Sequence, residues 1–313
     1  LILAIESSCD ETACAVVKDG KEILSNIVSS QINVHTLYGG VVPEVASRIH
    51  VENISTVITE ALEKANVIMD DIDAIAYTKG PGLIGSLHVG VQAAKTLAWV
   101  YHKPLLPINH MTGHIYANAF VSELQFPLMA LVVSGGHTEL VWMKNDWNFE
   151  VIGTTQDDAI GEAYDKVARV LGLGYPGGPV VDKLAKNGKP HYSLPTPKTS
   201  DPYNFSFSGL KTAVLQLKER EERKGNVVSP EDLVYAFQET ALTTMVSKTI
   251  AAVKEYKPKM IVLAGGVAAN SRLREMMKEE MSKVEGTELL IPPMWCCTDN
   301  AAMVGASGQI AYN

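Results

Sequence analysis

Two stretches of this chain alternate apolar runs and small polar turns in the same way. Residues 2–17 run Ile-Leu-Ala-Ile, then Glu-Ser-Ser-Cys-Asp-Glu-Thr, then Ala-Cys-Ala-Val-Val, which predicts strand, turn, strand. Residues 128–142 repeat the idea, with Gly135-Gly136 at the tip of the turn. Downstream of each comes an apolar run that ends in glycines and opens a helix: Ala74 to Gly82 in the first half, Met260 to Val267 in the second. Both elements recur in the same order, which predicts two duplicated α/β lobes, 1–125 and 126–313, the second with a helical insertion around 150–250. Coincidence between two common supersecondary patterns is the competing account.

Helical periodicity fills the intervals. Ile54, Val57, Ile58, Ala61 and Leu62 fall on one stripe between Val51 and Ala65. His88–Val100 and Asp232–Lys254 read as further buried helices, the latter through Leu233, Phe237, Leu242, Met245 and Ile250. The Pro-, Ser-, Thr- and Lys-rich stretch from Lys186 to Ser208 reads as an exposed insertion. Interleaved acids and bases over Lys218–Lys224 read as a solvated helix face.

Composition narrows the class without changing this outline. A chain of 313 residues with 46% apolar residues and 24 glycines suits a folded α/β protein with a large core. No apolar run approaches the roughly 18 residues of a membrane helix. Leu1–Ile5 lacks a basic flank and runs into polar residues, so it reads as a first strand rather than a signal peptide. The chain opens on Leu1 and stops at Asn313 in a helical pattern, and the expectation is that both ends are trimmed. The formal charge of −8 argues against a surface coated in positive charge, though not against a local basic patch or a basic partner. Cys9, Cys14, Cys296 and Cys297 form no CxxC pair, and reduced thiols in a cytoplasmic protein are the expectation.

The most informative chemistry is His110-Met-Thr-Gly-His114. Two imidazoles four residues apart share a helix face, close enough to grip one ion, and Asn109 is a helix-start residue. A zinc protease with this spacing has Glu after the first His to deprotonate water, and here that residue is Met111. An ion there would hold a ligand rather than split water; the alternative is a pair of helix-surface histidines. Asp299, just before the last helix and after the candidate cap Thr298, supplies a possible third, anionic ligand. The turn Ser134-Gly135-Gly136 offers backbone N–H groups suited to phosphate, and Gly265-Gly266 ends a comparable strand, so a nucleotide in a cleft between lobes is an economical reading. Asp165 and Asp182 flank a Gly-Pro loop containing Gly178, as ribose acceptors or as caps and surface charges.

Taken together, the motifs resemble a known family. They are Ile5–Thr12, Gly39–Glu44, Gly80–Leu83, Asn109–His114, Val133–Thr138, Gly161–Val167, Tyr203–Lys211, Ala264–Asn270 and Cys297–Met303, in order and over nearly the whole chain. The family is that of the bacterial tRNA N6-adenosine threonylcarbamoyltransferases, formerly called O-sialoglycoprotein endopeptidases. The resemblance implies the duplicated lobes of the actin-like, sugar-kinase and heat-shock chaperone ATPase fold. It implies transfer of threonylcarbamoyl from threonylcarbamoyl-AMP to N6 of the adenosine 3′ of the anticodon, in tRNAs reading codons that begin with A. It further implies one divalent metal per subunit, iron(II) or zinc, on His110, His114 and Asp299. Adenylate contacts are implied at Val132, Val133, Ser134, Gly135, Gly136, Asp165, Gly178, Asp182 and Asn270. The implied partners are tRNA, an inactive paralogous dimer partner (TsaB-like) and a small ATPase (TsaE-like), with no membrane. No general base is evident; Asp10, Glu11 and His137 are candidates by their turns alone. A small-molecule kinase of the same fold, a metalloprotease and a non-enzymatic scaffold are the competing functions.

Overall fold

Every residue of Ile2–Glu6 is buried, which requires a strand covered on both faces, and this strand (β1) is the middle of its sheet. The computed structural model describes residues 1–146 and 148–313. Among them the first sheet holds β1, β2 (Glu11–Lys18), β3 (Glu22–Ser30), β4 (Ala74–Gly80) and β5 (Leu105–Asn109), in the order β3-β2-β1-β4-β5. The first three strands pair antiparallel through tight turns, and β4 and β5 join parallel. Parallel neighbours need crossovers, supplied by α2 (Pro43–Ala65), which follows the short α1 (Ile32–Thr36), and by α3 (Ile84–Tyr101). After β5 comes the short helix α4 (His110–Tyr116).

The second sheet repeats the plan. Its strands β6 (Leu128–Val133), β7 (Thr138–Asn145), β8 (Asn148–Thr154), β9 (Met260–Ala264) and β10 (Glu288–Leu290) lie in the order β10-β9-β6-β7-β8. Read from the other edge this is the same third-second-first-fourth-fifth arrangement, with β6 antiparallel to β7 and parallel to β9. Between β8 and β9 run α5 (Ile160–Val170), α6 (Gly177–Ala185), α7 (Ser208–Arg223) and α8 (Pro230–Tyr256), followed after β9 by α9 (Ser271–Met281). The duplicated topology predicted from the repeated hairpins is present in both sheets.

Contacts group Gln125–Ile291 as one unit and Leu1–Leu124 with Pro292–Asn313 as the other. The final helix, α10 (Ala301–Tyr312), therefore belongs with the first sheet, whereas the linear halving expected from the repeat put it in the second lobe. Strand alternation explains how it fits. Leu3, Ile5, Cys14 and Val16 face α2 and α3, while Ile2, Ala4, Ala15 and Val17 face Ala301, Ala302, Met303 and Val304 of α10. Small residues let α10 lie close: a Cβ on Gly305 would meet Val17 Cγ2 at 2.6 Å, and one on Gly308 would meet Ala76 Cβ at 2.7 Å.

Two local expectations need correction. The last helix is capped by Asn300, whose Oδ1 accepts from Met303 N at 3.2 Å, and not by Thr298. The stretch Lys186–Ser208 lacks helix and strand until its last residue, as expected, yet it is not simply exposed. Leu194, Tyr203, Phe205 and Phe207 are buried, and Phe205 N–H donates to Thr154 O at 2.9 Å beside the end of β8.

Candidate functional site

Asn109 ends β5 and starts α4, its Oδ1 accepting from Met111 N at 2.8 Å and Thr112 N at 3.3 Å. That cap sets His110 at the first helical position and His114 one turn later. The alternative of helix-surface histidines does not hold: the two residues are buried, 6% and 1% exposed, where α10 packs on α4. The rings meet edge to face, with centroids 4.7 Å apart.

Three ligand-type atoms converge. His114 Nε2 lies 3.2 Å from His110 Nε2 and 3.0 Å from Asp299 Oδ1, and His110 Nε2 lies 3.5 Å from the same oxygen. Donors held about 2.0–2.1 Å from a common ion at tetrahedral angles would stand roughly 3.3 Å apart. The spacing and the donor set of two imidazoles and one carboxylate both fit a divalent zinc or iron(II) ion with open positions.

Behind His110 stands Glu6, a fully buried carboxylate at the end of β1. Its Oε1 accepts from Ser8 N–H, its Oε2 accepts from the Thr78 hydroxyl, and Oε2 lies 3.1 Å from His110 Nδ1. Ser8 Oγ is also 3.2 Å from that nitrogen. Burial works to raise the Glu6 carboxyl, but the His110 charge and hydrogen bond outweigh it, and the net shift is downward. Burial works to lower His110, but Asp299 and Glu6 carry it up to about 9 in the metal-free protein. His114 Nδ1 is buried with no hydrogen-bond partner among the described residues.

Glu6 was not among the residues singled out from sequence. The available signal was an acid closing an otherwise apolar strand, directly before Ser7-Ser8. Glu11, one of the candidate bases, is raised to about 10 by burial, then by Asp299 and Asp10. Burial also drives the Cys9 thiol far above its ordinary range and Cys296 to about 12. Neither is an activated nucleophile.

The residues expected at the adenylate lie in the second unit. Val132 and Val133, at the end of β6, are fully buried, backbone included, so neither is open to a ligand. Ser134, Gly135 and Gly136 form the β6–β7 turn, in which Ser134 N–H donates to His137 O at 2.8 Å and His137 N–H to Ser134 Oγ at 3.1 Å. The start of α5 packs on this turn so closely that a Cβ on Gly161 would lie 2.6 Å from Ser134 O. Gly265 (φ +89°) leads out of β9 beside it, where a Cβ would lie 2.4 Å from Val133 O. By contrast a Cβ on Gly135, Gly136, Gly178 or Gly266 would meet nothing within 4 Å, leaving space beside their backbone.

Asp165, Asp182 and Asn270 are each committed to protein groups. Asp165 Oδ1 accepts from Gly177 N at 2.7 Å, which ties α5 to the start of α6. Asp182 accepts from Ser271 N at 3.0 Å and Ser271 Oγ at 2.9 Å, tying α6 to α9. Asn270 caps α9 through Leu273 N at 2.9 Å and donates to Gln238 Oε1 at 2.9 Å and Tyr164 Oη at 3.3 Å. The set is thus linked to one zone where the β6 turn and the starts of α5, α6 and α9 are joined.

Residues 22–306 match the family described as TsaD, tRNA N6-adenosine threonylcarbamoyltransferase. The chain is 56% identical over 313 residues to a Bacillus cereus protein of that description, covering 100% of this chain and 91% of the relative. It is 56% identical over 312 residues to one from Bacillus subtilis strain 168, covering 99% and 90%. Among solved structures it is similar to T. kodakarensis HypF, with TM-score 0.63 and 14% identity over 99% of this chain and 48% of that one. It is also similar to component A of the Acidaminococcus fermentans (R)-2-hydroxyglutaryl-CoA dehydratase, with TM-score 0.56 and 18% identity over 99% and 96%. These two likenesses show the shared fold, that of the actin-like ATPases and sugar kinases.

Proposed function

The chain belongs to the tRNA N6-adenosine threonylcarbamoyltransferase family, and on that premise we propose the reaction and the roles of its residues. The protein is a tRNA-modifying transferase. The donor is threonylcarbamoyl-AMP and the acceptor is N6 of the adenosine 3′-adjacent to the anticodon in tRNAs reading codons that begin with A. The amine attacks the carbamoyl carbonyl, a C–N bond forms, the bond to the phosphate oxygen breaks, and AMP and a proton leave. Because the donor is a mixed anhydride, the protein chiefly orients it and stabilises charge on the departing phosphate.

The convergence of His110, His114 and Asp299 carries this reading. They hold iron(II) or zinc, which when bound supplies a Lewis acid for substrate oxygens. The Ser134–Gly136 turn and the starts of α5 and α6 receive the phosphate, through the backbone beside Gly135, Gly136 and Gly178. Asp165, Asp182 and Asn270 shape the nucleoside pocket by fixing those helix starts. The inactive paralogue docks on the first unit, where Val51, Ile54, Ile58, Val89 and Leu97 line an apolar α2–α3 groove of about 530 Å³. The small ATPase acts on that assembly, in the cytoplasm where tRNA is modified.

Threonylcarbamoyl-AMP and unmodified tRNA, incubated with the protein and its two partners, should yield AMP and the modified nucleoside, and His110→Ala should abolish both. Undiminished modification by His110→Ala would sink the metal role. ADP formed from ATP with a sugar or acetate would favour the kinase, and glycoprotein cleavage dependent on both histidines the protease.

A further inference from the structure

We propose that Glu6 is the positioning residue that commits His110 to metal ligation, by holding the ring proton on Nδ1 so that the Nε2 lone pair faces the cluster. This rests on the metal reading above and deepens it. Both Glu6 oxygens already face donors: Oε1 the backbone N–H of Ser8, and Oε2 the Thr78 hydroxyl. A group that only accepts can share a 3.1 Å contact with His110 Nδ1 only if that nitrogen carries the hydrogen. Ser8 Oγ, 3.2 Å away, can donate or accept and so follows whatever Glu6 dictates. Once the ring is neutral, with its one hydrogen on Nδ1, Nε2 is the bare nitrogen, and it is the atom that lies 3.2 Å from His114 Nε2 and 3.5 Å from Asp299 Oδ1.

The two histidines are not equivalent. His114 Nδ1 has no hydrogen-bond partner among the described residues, so no such bond selects its tautomer and the ion itself must do so. For His110, Glu6 fixes which nitrogen keeps its hydrogen when the ring gives one up to the metal. Glu6 also completes the charge: with neutral imidazoles, its carboxylate and that of Asp299 together balance a divalent cation, although Glu6 does not touch it. A buried carboxylate closing a central strand adds nothing to sheet pairing that an apolar residue would not, but it explains why both its neighbours offer hydrogens.

Glu6→Gln is the discriminating variant. The fixed Ser8 N–H obliges the amide oxygen to stay on its side, which turns the NH₂ toward Thr78 Oγ and His110 Nδ1. Thr78 can reverse its hydroxyl; His110 can only accept by moving its proton to Nε2, the ligating nitrogen. Zinc affinity measured by chelator competition on the full chain should fall about 10–100-fold in Glu6→Gln, the usual effect of losing such a partner. On the neutral ring of the metal-free protein, the ¹⁵N signal of His110 Nδ1 should pass from protonated to unprotonated. Thr78→Val, which removes one donor but keeps the Glu6–His110 contact, should bind zinc within a few-fold of the wild type.

If the wild type takes up no stoichiometric zinc, or His114→Ala binds as the wild type does, the metal reading itself fails. If the wild type binds one zinc and His110→Ala does not, yet Glu6→Gln keeps full affinity and a protonated Nδ1, only the role of Glu6 is overturned. Should Glu6→Gln not fold, ¹⁵N spectra of the neutral His110 ring in the metal-free wild type still decide: a hydrogen on Nδ1 supports the role, and one on Nε2 ends it.

Discussion

Asn270 offers the sharpest separation of scaffold from substrate contact. Its Oδ1 caps α9, and its two amide hydrogens go to Gln238 and Tyr164, all buried. A ligand could therefore reach only the second lone pair of Oδ1. Truncation to alanine removes a helix cap, worth about 1 kcal/mol, and two hydrogen bonds, each worth about 0.5–1.5 kcal/mol. The expected loss is roughly 2–4 kcal/mol. For a cooperative unit of about 150–250 residues, each kcal/mol lowers Tm by about 2–4 °C, so Asn270→Ala should melt roughly 5–15 °C below the wild type. Asn270→Ser keeps a capping oxygen and should recover about 1 kcal/mol while leaving Gln238 and Tyr164 without the amide. Thermal and urea unfolding followed by circular dichroism read both variants, with KM for threonylcarbamoyl-AMP measured alongside. A destabilisation below about 0.5 kcal/mol, with KM raised, would refute the scaffold assignment and leave Asn270 to the ligand alone.

Three other outcomes are expected. His110, raised to about 9 without metal, is protonated at pH 7.5, so zinc binding there should release close to one proton per ion; calorimetric heats independent of buffer would contradict this. The same raised value means His110 stabilises the metal-free fold fully below its ordinary value near 6.5 and loses that stabilisation as pH rises through about 9. Urea midpoints of the metal-free protein should accordingly fall over that window, less steeply in His110→Ala, and equal slopes would exclude the effect. Gly161→Ala would set a Cβ 2.6 Å from Ser134 O and 2.8 Å from Gly135 Cα, both backbone, at a cost of about 1–3 kcal/mol. Adenylate affinity should weaken with it, and an unchanged Tm and KM would show that the turn is not held by this contact.

Much of this architecture was legible because local pattern and global topology agree. The strand–turn–strand pairs and the later strand–glycine–helix units became two sheets of one connectivity, and Asn109 caps the helix its residue type announced. The spacing of His110 and His114 specified a shared face but not its direction; that depends on α10, some 190 residues later in the chain. The placement of α10 itself was hidden because Gly305 and Gly308 mark close packing only once their neighbours, Val17 and Ala76, are known. Thr298 and Asn300 are equally plausible caps by type, and only the extended backbone at Asn300 chooses between them. Glu6 escaped notice because its partners, Ser8 N–H, Thr78 and His110, come together only when β1, β4 and α4 are assembled.

The split composition of the first unit bears on how the protein is made. On a translating ribosome, all of Gln125–Ile291 emerges before the segment that finishes the unit begun at Leu1. Until then Ile2, Ala4, Val17 and Ala76 present an uncovered greasy face, and Asp299 does not yet exist to join the two imidazoles. Any cation held by these three side chains can be captured only after Asp299 has been made, and a chain terminated before that residue carries an incomplete chelate on an unfinished sheet.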